Sequence, residues 1–111
     1  MLDNQVEEVE LTIEEAKKHV QRRDSLRKLM NNREFRKIIE EGYMQEEAVR
    51  LVGISADPSV EHREDAIIGQ IKAISNLRQY LSNILRLGDQ MEESILENEA
   101  LLEELREEEI H

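Results

Sequence analysis

Histidines and carboxylates are the residues of this chain whose chemistry could support metal binding or catalysis. None of the three histidines lies three or four residues from another, so no zinc or di-iron spacing occurs. Glu61 and Asp65 flank His62 and could pair weakly with its imidazole, but a solvated histidine near a helix start is the simpler interpretation. We therefore expect no metal and no other cofactor.

Acidic residues recur at helical spacing through the C-terminal quarter of the chain. They are Glu92, Glu93, Glu97, Glu99, Glu103, Glu104, Glu107, Glu108 and Glu109. Such a run is typical of a solvated helix face, and the functional alternative is a tail that docks on a basic partner surface. Catalytic carboxylates need a pocket that shifts their pKa values. A chain with three aromatic residues and no nucleophile elbow or phosphate loop suggests no such pocket, so we do not expect an enzyme.

Charge is distributed unevenly along the chain, whose formal net charge is −11. Residues 16–37 carry +7 and residues 89–111 carry −9. The acidic total argues against nucleic acid as a partner, because binding to phosphates comes from their net neutralisation.

A basic patch within residues 17–37 is the exception to this acidic character. It comprises Lys17, Lys18, Arg22, Arg23, Arg27 and Lys28. The patch lacks interleaved aromatic residues for base stacking. A solvated face complementary to acidic segments of this or a neighbouring chain is the simpler interpretation, and weak nucleic-acid binding through residues 17–37 is the alternative.

Residues 45–55 resemble the first helix and turn of a helix-turn-helix unit. The helix that would enter the major groove opens with Asp57, Glu61, His62, Arg63, Glu64 and Asp65. Four carboxylates there would face phosphates with the wrong sign, so we do not expect DNA reading.

One long amphipathic helix is the element that must organise the chain. An apolar residue recurs every three or four positions, at a spacing near 3.5 that is typical of coiled coils. This seam comprises Ile67, Ile71, Ile74, Leu77, Leu81, Ile84, Met91, Ile95, Leu102 and Leu105. Gly88 could end a helix and start a hairpin, but the seam passes through it in phase. We therefore expect one helix, about 70 Å long at ~1.5 Å per residue, with a bend allowed at Gly88.

Shorter helices are expected before the long one. Residues 1–11 lack a helical period and are predicted to be a flexible acidic arm. Thr12 and Glu15 form a capping box that should start the first helix. Asn31 and Asn32 should cap a second helix that buries Phe35, Ile38 and Ile39 and ends at Gly42, and a third should span about 45–52.

These elements define an all-α fold in three parts. They are the arm (1–11), an N-terminal helical head (12–56) and the long helix with its acidic tail (57–111). The chain has no cysteine, no signal-peptide pattern and no apolar run of the ~20 residues that a membrane span needs, so a membrane is not an expected partner.

The seam is longer than the head can cover. If residues 12–52 fold over Ile67–Ile84, the remainder from Met91 to Leu105 stays exposed. The sequence therefore predicts that a second copy or another protein covers it.

The middle of the chain also resembles a known group of proteins. The similarity lies in Leu26–Tyr43 (LRKLMNNREFRKIIEEGY), in Glu46–Val52 and in the Glu-rich end Glu103–Glu108. These segments resemble small helical proteins encoded by tailed bacteriophages. The resemblance implies an accessory or virion-assembly role, with location in the virion or in the cytoplasm of the infected bacterium. It supplies no site residues.

We therefore expect a non-enzymatic phage structural or assembly protein. It would self-associate, dock on a capsid or portal-region protein, or do both, through the long helix. The alternative is a small phage regulator that binds host transcription or nuclease machinery and presents its acidic helix as a DNA mimic.

Overall fold

A computed structural model describes residues 2–110; Met1 and His111, at the ends of the expected arm and tail, lie outside the described residues. Its elements are α1 (Leu2–Met30), α2 (Arg33–Phe35), a π-helix (Arg36–Glu47), α3 (Ala48–Ser55), a 3₁₀-helix (Pro58–Arg63) and α4 (Glu64–Ile110). No strand lies within residues 2–110. The all-α class is confirmed, with N-terminal helices packed on one long C-terminal helix.

The chain forms two compact units. Of the described residues, unit 1 contains 2–26 and 84–110, and unit 2 contains 27–83. This division differs from the expected head (12–56) and long helix (57–111), because α1 and α4 each contribute residues to both units.

Helix α4 runs through Gly88 without interruption, as the in-phase seam predicts. Local interactions also determine where the 3₁₀-helix before α4 begins. The Asp57 side chain accepts a hydrogen bond from the Ser59 N–H at 2.9 Å, and Pro58 occupies the first helical position. Proline is suited to that position because its missing N–H would have no helical partner there.

In unit 1, α1 begins at Leu2, so the prediction of a flexible arm over residues 1–11 is wrong for residues 2–11. Thr12 does not cap the helix; its hydroxyl donates to the Glu8 carbonyl at 2.9 Å. Residues 2–11 are helical because of packing within the folded chain. Val6 and Val9 are half-buried and continue, at spacings of three and four, the face on which Ile13 is buried. Those valines gain cover inside the chain, which stabilises the extra turns.

In unit 2, Met44, Leu51, Ile67 and Ile74 form the buried core. Asn32 caps α2 by accepting from the Phe35 N–H at 2.9 Å, as expected from the sequence.

Two expectations for unit 2 are wrong. Gly42 does not end a helix in the left-handed conformation, because the chain continues through it as the π-helix and no described glycine has positive φ. Ile38, expected to be buried, is exposed.

Candidate interaction surfaces

Within unit 2, the seam belongs to the core. Ile67 and Ile74 are buried, Leu77 is half-buried, and Ile71 and Leu81 pack against the buried cluster. Beside this core, the Arg78 guanidinium donates a hydrogen bond to the Met44 carbonyl at 3.0 Å. These seam residues therefore stabilise the unit and present little free surface.

Within unit 1, the seam faces α1. The helices run antiparallel, since Arg23 bonds Glu92 and Glu10 bonds Arg106. Leu105 is only 8 % exposed.

The other seam residues of unit 1 are half-buried: Ile84, Met91, Ile95 and Leu102. The expectation that Met91–Leu105 stays uncovered is therefore wrong. Helix α1 provides the cover, with Ala16 and His19 beside Met91 and Ile13 beside Leu102, so the seam by itself does not require a second chain.

Arg23 is the one buried charged residue among those described, at 3 % exposure. It lies on the buried face of α1, seven residues after Ala16. Its guanidinium donates to Asp89 at 2.8 Å, to Glu92 at 3.0 Å and to Asp24 at 3.0 Å. The carboxylates remain largely exposed. The buried stem with its charge directed to surface acids is the usual arrangement of a long cation at a helix interface.

Gly88 provides the space for Arg23. A Cβ built on Gly88 would lie 2.7 Å from Arg23 Cδ and 2.8 Å from Cγ, and closer still to Cβ. The helix backbones therefore approach closely at this layer. The sequence contains both residues but shows no pairing between them; the available signal was a glycine in the seam of α4 and an arginine on the apolar face of α1.

This cluster also perturbs proton affinities. Hydrogen bonding to Glu92, with smaller contributions from Asp24 and Asp89, raises the pKa of Arg23 despite the opposing effect of burial. The hydrogen bond and charge of Arg23 hold the pKa of Glu92 below its usual value. Arg23 therefore acts as a permanent cation that favours ionised carboxylates around it.

The basic patch is not brought together as one free surface. Arg23 is buried in the ion-pair cluster, and Lys18 donates to Glu15 at 2.8 Å, which raises the pKa of Lys18. Arg22 and Arg27 already make interactions within the chain. Lys17 and Lys28 are exposed, and they fall in unit 1 and unit 2, respectively. The inclusion of Arg23 in an exposed patch is thus corrected.

Formal charge separates between the units. Unit 1 carries 17 acidic and 6 basic residues, for a net −11, whereas unit 2 carries nine of each and is neutral. The acidic character of the chain therefore belongs to the paired helices of unit 1. Any partner that recognises the protein by charge will meet it there.

Several large apolar residues are exposed even though the core-facing stripes are buried. They include Leu11, Leu87, Leu96 and Leu101 in unit 1, and Ile38, Val49 and Val52 in unit 2. These residues lie outside the seam, so the seam spacing did not predict them as a group. For Leu87 and Leu101, the available signal was their separation by two heptads beside the seam.

Residues 2–110 contain no cluster of three or more histidine, cysteine or acidic side chains placed to hold a metal ion, and His62 is exposed. No helix in that range is long and apolar enough to cross a bilayer. Comparisons with protein-family models, curated proteins and solved structures found no match to the chain.

Proposed function

We propose that this chain is a non-enzymatic structural or assembly protein of a tailed-phage particle that docks on a protein partner. The phage setting rests on the resemblance of residues 26–52 and the Glu-rich end. The docking rests on apolar residues that lie on the outer sides of helices whose inner sides are already buried.

Helix α3 carries this proposal. Leu51 points into the core at 3 % exposure, whereas Val49 and Val52 are 73 % and 57 % exposed. Val49 and Val52 are three residues apart in this helix, so they share its outer side. A helix that is apolar on both sides is normally buried on both. A partner that covers the outer side would complete the burial of α3.

The proposed surface therefore differs from the one expected from the sequence. The seam stabilises the two units, and the partner meets residues outside it. Capsid or portal-region proteins remain the proposed partners, and self-association becomes one outcome to be measured.

Particle composition tests the proposal directly. Mass spectrometry of purified phage should detect the chain at fixed stoichiometry, and Val49→Ser/Val52→Ser should reduce its incorporation several-fold. Ile110→Ser, which changes an exposed apolar residue elsewhere, is the matched control and should incorporate normally. Presence in infected cells but absence from particles would contradict the proposal.

A second candidate is a regulator that competes with DNA for a basic site on host machinery. The concentration of the whole net charge in unit 1 favours it. Glu93, Glu97, Glu104 and Glu107 are exposed and recur at helical spacing on the side of α4 opposite the seam. Salt-sensitive displacement of DNA from a host protein, lost when these four residues become glutamine, would support this function.

A further inference from the structure

The two flanks of the helix pair in unit 1 differ in charge. One, the charged flank, contains Glu10, Lys17, Glu99 and Arg106, and Arg106 donates to Glu10 there at 3.2 Å. The other, the uncharged flank, contains Thr12 and His19 of α1 and Leu87, Ser94 and Leu101 of α4. A pair of antiparallel helices brings equivalent heptad positions together along each flank, so the sequence makes one flank ionic and the other neutral.

A groove follows the uncharged flank. It is lined by Leu11, Thr12, Glu15, Ala16 and His19 of α1 and by Met91 of α4. Leu87 precedes Met91 by four residues and Ser94 follows it by three, which places them on the same side of α4. Leu87 and Leu101 are 37 % and 42 % exposed. From Leu87 to Leu101 this neutral surface extends roughly 21 Å at ~1.5 Å per residue.

Acidic residues border the groove. Glu8 and Glu15 lie on the outer side of α1, and Glu97 and Glu104 lie on the outer side of α4; all four are exposed. Lys18 donates to Glu15 and offsets the charge of that carboxylate, and Arg22 makes an interaction within the chain. The acidic character of the borders therefore comes from Glu8, Glu97 and Glu104.

We propose that the uncharged flank binds a third helix: an amphipathic helix of a partner protein, with a leucine-type apolar stripe bordered by lysine or arginine. The apolar stripe would cover Leu87, Met91 and Leu101, and the basic borders would meet the acidic borders of the groove. A helix laid in an apolar groove is a common mode of peptide recognition. A second copy of unit 1 fits poorly, because it would bring another −11 of charge to the same surface.

Designed peptides test the chemistry of this site. The probe is a helical peptide of about 21 residues. It has leucine at every third or fourth position, so that the leucines form one stripe, and lysine at the positions on both sides of that stripe. A peptide with glutamate in place of lysine and a scrambled lysine peptide are the controls. The full-length protein should bind the lysine peptide in fluorescence anisotropy, with affinity that falls as salt rises, and should bind both controls at least about ten-fold more weakly.

Matched variants locate the site on the protein. Leu87→Ser/Leu101→Ser should weaken binding about ten-fold or more, because two half-exposed leucines lose their apolar contact. Leu96→Ser removes an exposed leucine from the other side of α4 and should bind as the wild type does. Glu97→Gln/Glu104→Gln should weaken binding and flatten its dependence on salt.

Hydroxyl-radical footprinting of the unmodified protein gives a second readout that needs no variant. The lysine peptide should protect Leu87, Met91 and Leu101 and leave Leu96 reactive. No binding up to about 1 mM peptide, equal binding of the glutamate peptide, or protection of Leu96 alone would overturn the proposal. So would a concentration-dependent dimer that Leu87→Ser/Leu101→Ser abolishes, since a second copy would then occupy the flank. All these measurements concern the isolated protein, so their outcome is independent of whether the chain is found in phage particles.

Discussion

Gly88→Ala should destabilise unit 1 even though alanine is the better helix former. Within a helix, alanine is favoured over glycine by about 1 kcal/mol. The added Cβ, however, would lie 2.7 Å from Arg23 Cδ, whereas 3.4–4 Å is ordinary contact. Rotation of the Arg23 side chain cannot relieve the closer approach to its Cβ, so α1 and α4 must separate.

The magnitude follows from these opposing effects. Overpacking of a tight contact costs typically 1–3 kcal/mol. A contact that only backbone movement can relieve belongs at the upper end, so the net loss after the propensity gain is roughly 1–2 kcal/mol. For a chain of this size that corresponds to a fall in Tm of about 3–10 °C.

Thermal unfolding followed by circular dichroism is the assay. Gly69→Ala is the matched control in the same helix, because nothing lies within 4 Å of its built Cβ. It should raise stability by about 1 kcal/mol. If Gly88→Ala is as stabilising as Gly69→Ala, the close approach of α1 and α4 is refuted.

Second-site changes sharpen this test. Arg23→Ala keeps the Cβ, so Gly88→Ala should still be destabilising in that background. Arg23→Gly removes the Cβ, so Gly88→Ala should become stabilising there by about 1 kcal/mol. If Gly88→Ala is stabilising in the Arg23→Ala background as well, the steric clash comes from the long arginine side chain and not from the spacing of the two backbones.

Three further predictions concern burial, capping and pH. Leu105→Ala should cost about 2–5 kcal/mol in denaturant unfolding, whereas Leu101→Ala, at a half-exposed position, should cost well under half as much; equal costs would contradict the burial of Leu105. Asn32→Ala should cost about 1 kcal/mol through loss of its helix cap, and Asn31→Ala, which removes no such cap, should be nearly neutral. Because the folded pKa of Glu92 is lowered, its stabilisation is present above its unfolded value near 4.5 and is lost as pH falls through the folded value. Glu92→Gln should therefore lower Tm near pH 7, and its difference from the wild type should shrink as pH falls below 4.5; a difference that stays constant would contradict the assignment.

Local patterns were sufficient to predict much of the fold. The seam spacing predicted one helix through Gly88, and Asn32 occupies the capping position predicted for it. These features depend on neighbours a few residues apart, which a single sequence displays directly.

Tertiary features were not predictable in the same way. The acidic residues 2–11 look disordered on their own, but they are helical in the structure, where Val6 and Val9 are half-buried and Glu10 accepts a hydrogen bond from Arg106. The Arg23 cluster joins residues 66 and 69 positions apart, so no local pattern reveals it. The uncharged flank emerges only when the heptads of both helices are aligned against each other.

The central claim is that α1 and α4 of one chain bury the seam of unit 1, so that the seam is not the surface proposed for a partner. Hydrogen exchange of the backbone amides in residues 91–105, measured at low and at high protein concentration, tests this claim most directly. The structure predicts that these amides are strongly protected from exchange, to the same extent at both concentrations. In the variant Ile95→Asp, residues 91–105 and residues 6–23 should lose their protection together. Protection that appears only at high concentration would show that a second chain, and not α1, covers the seam.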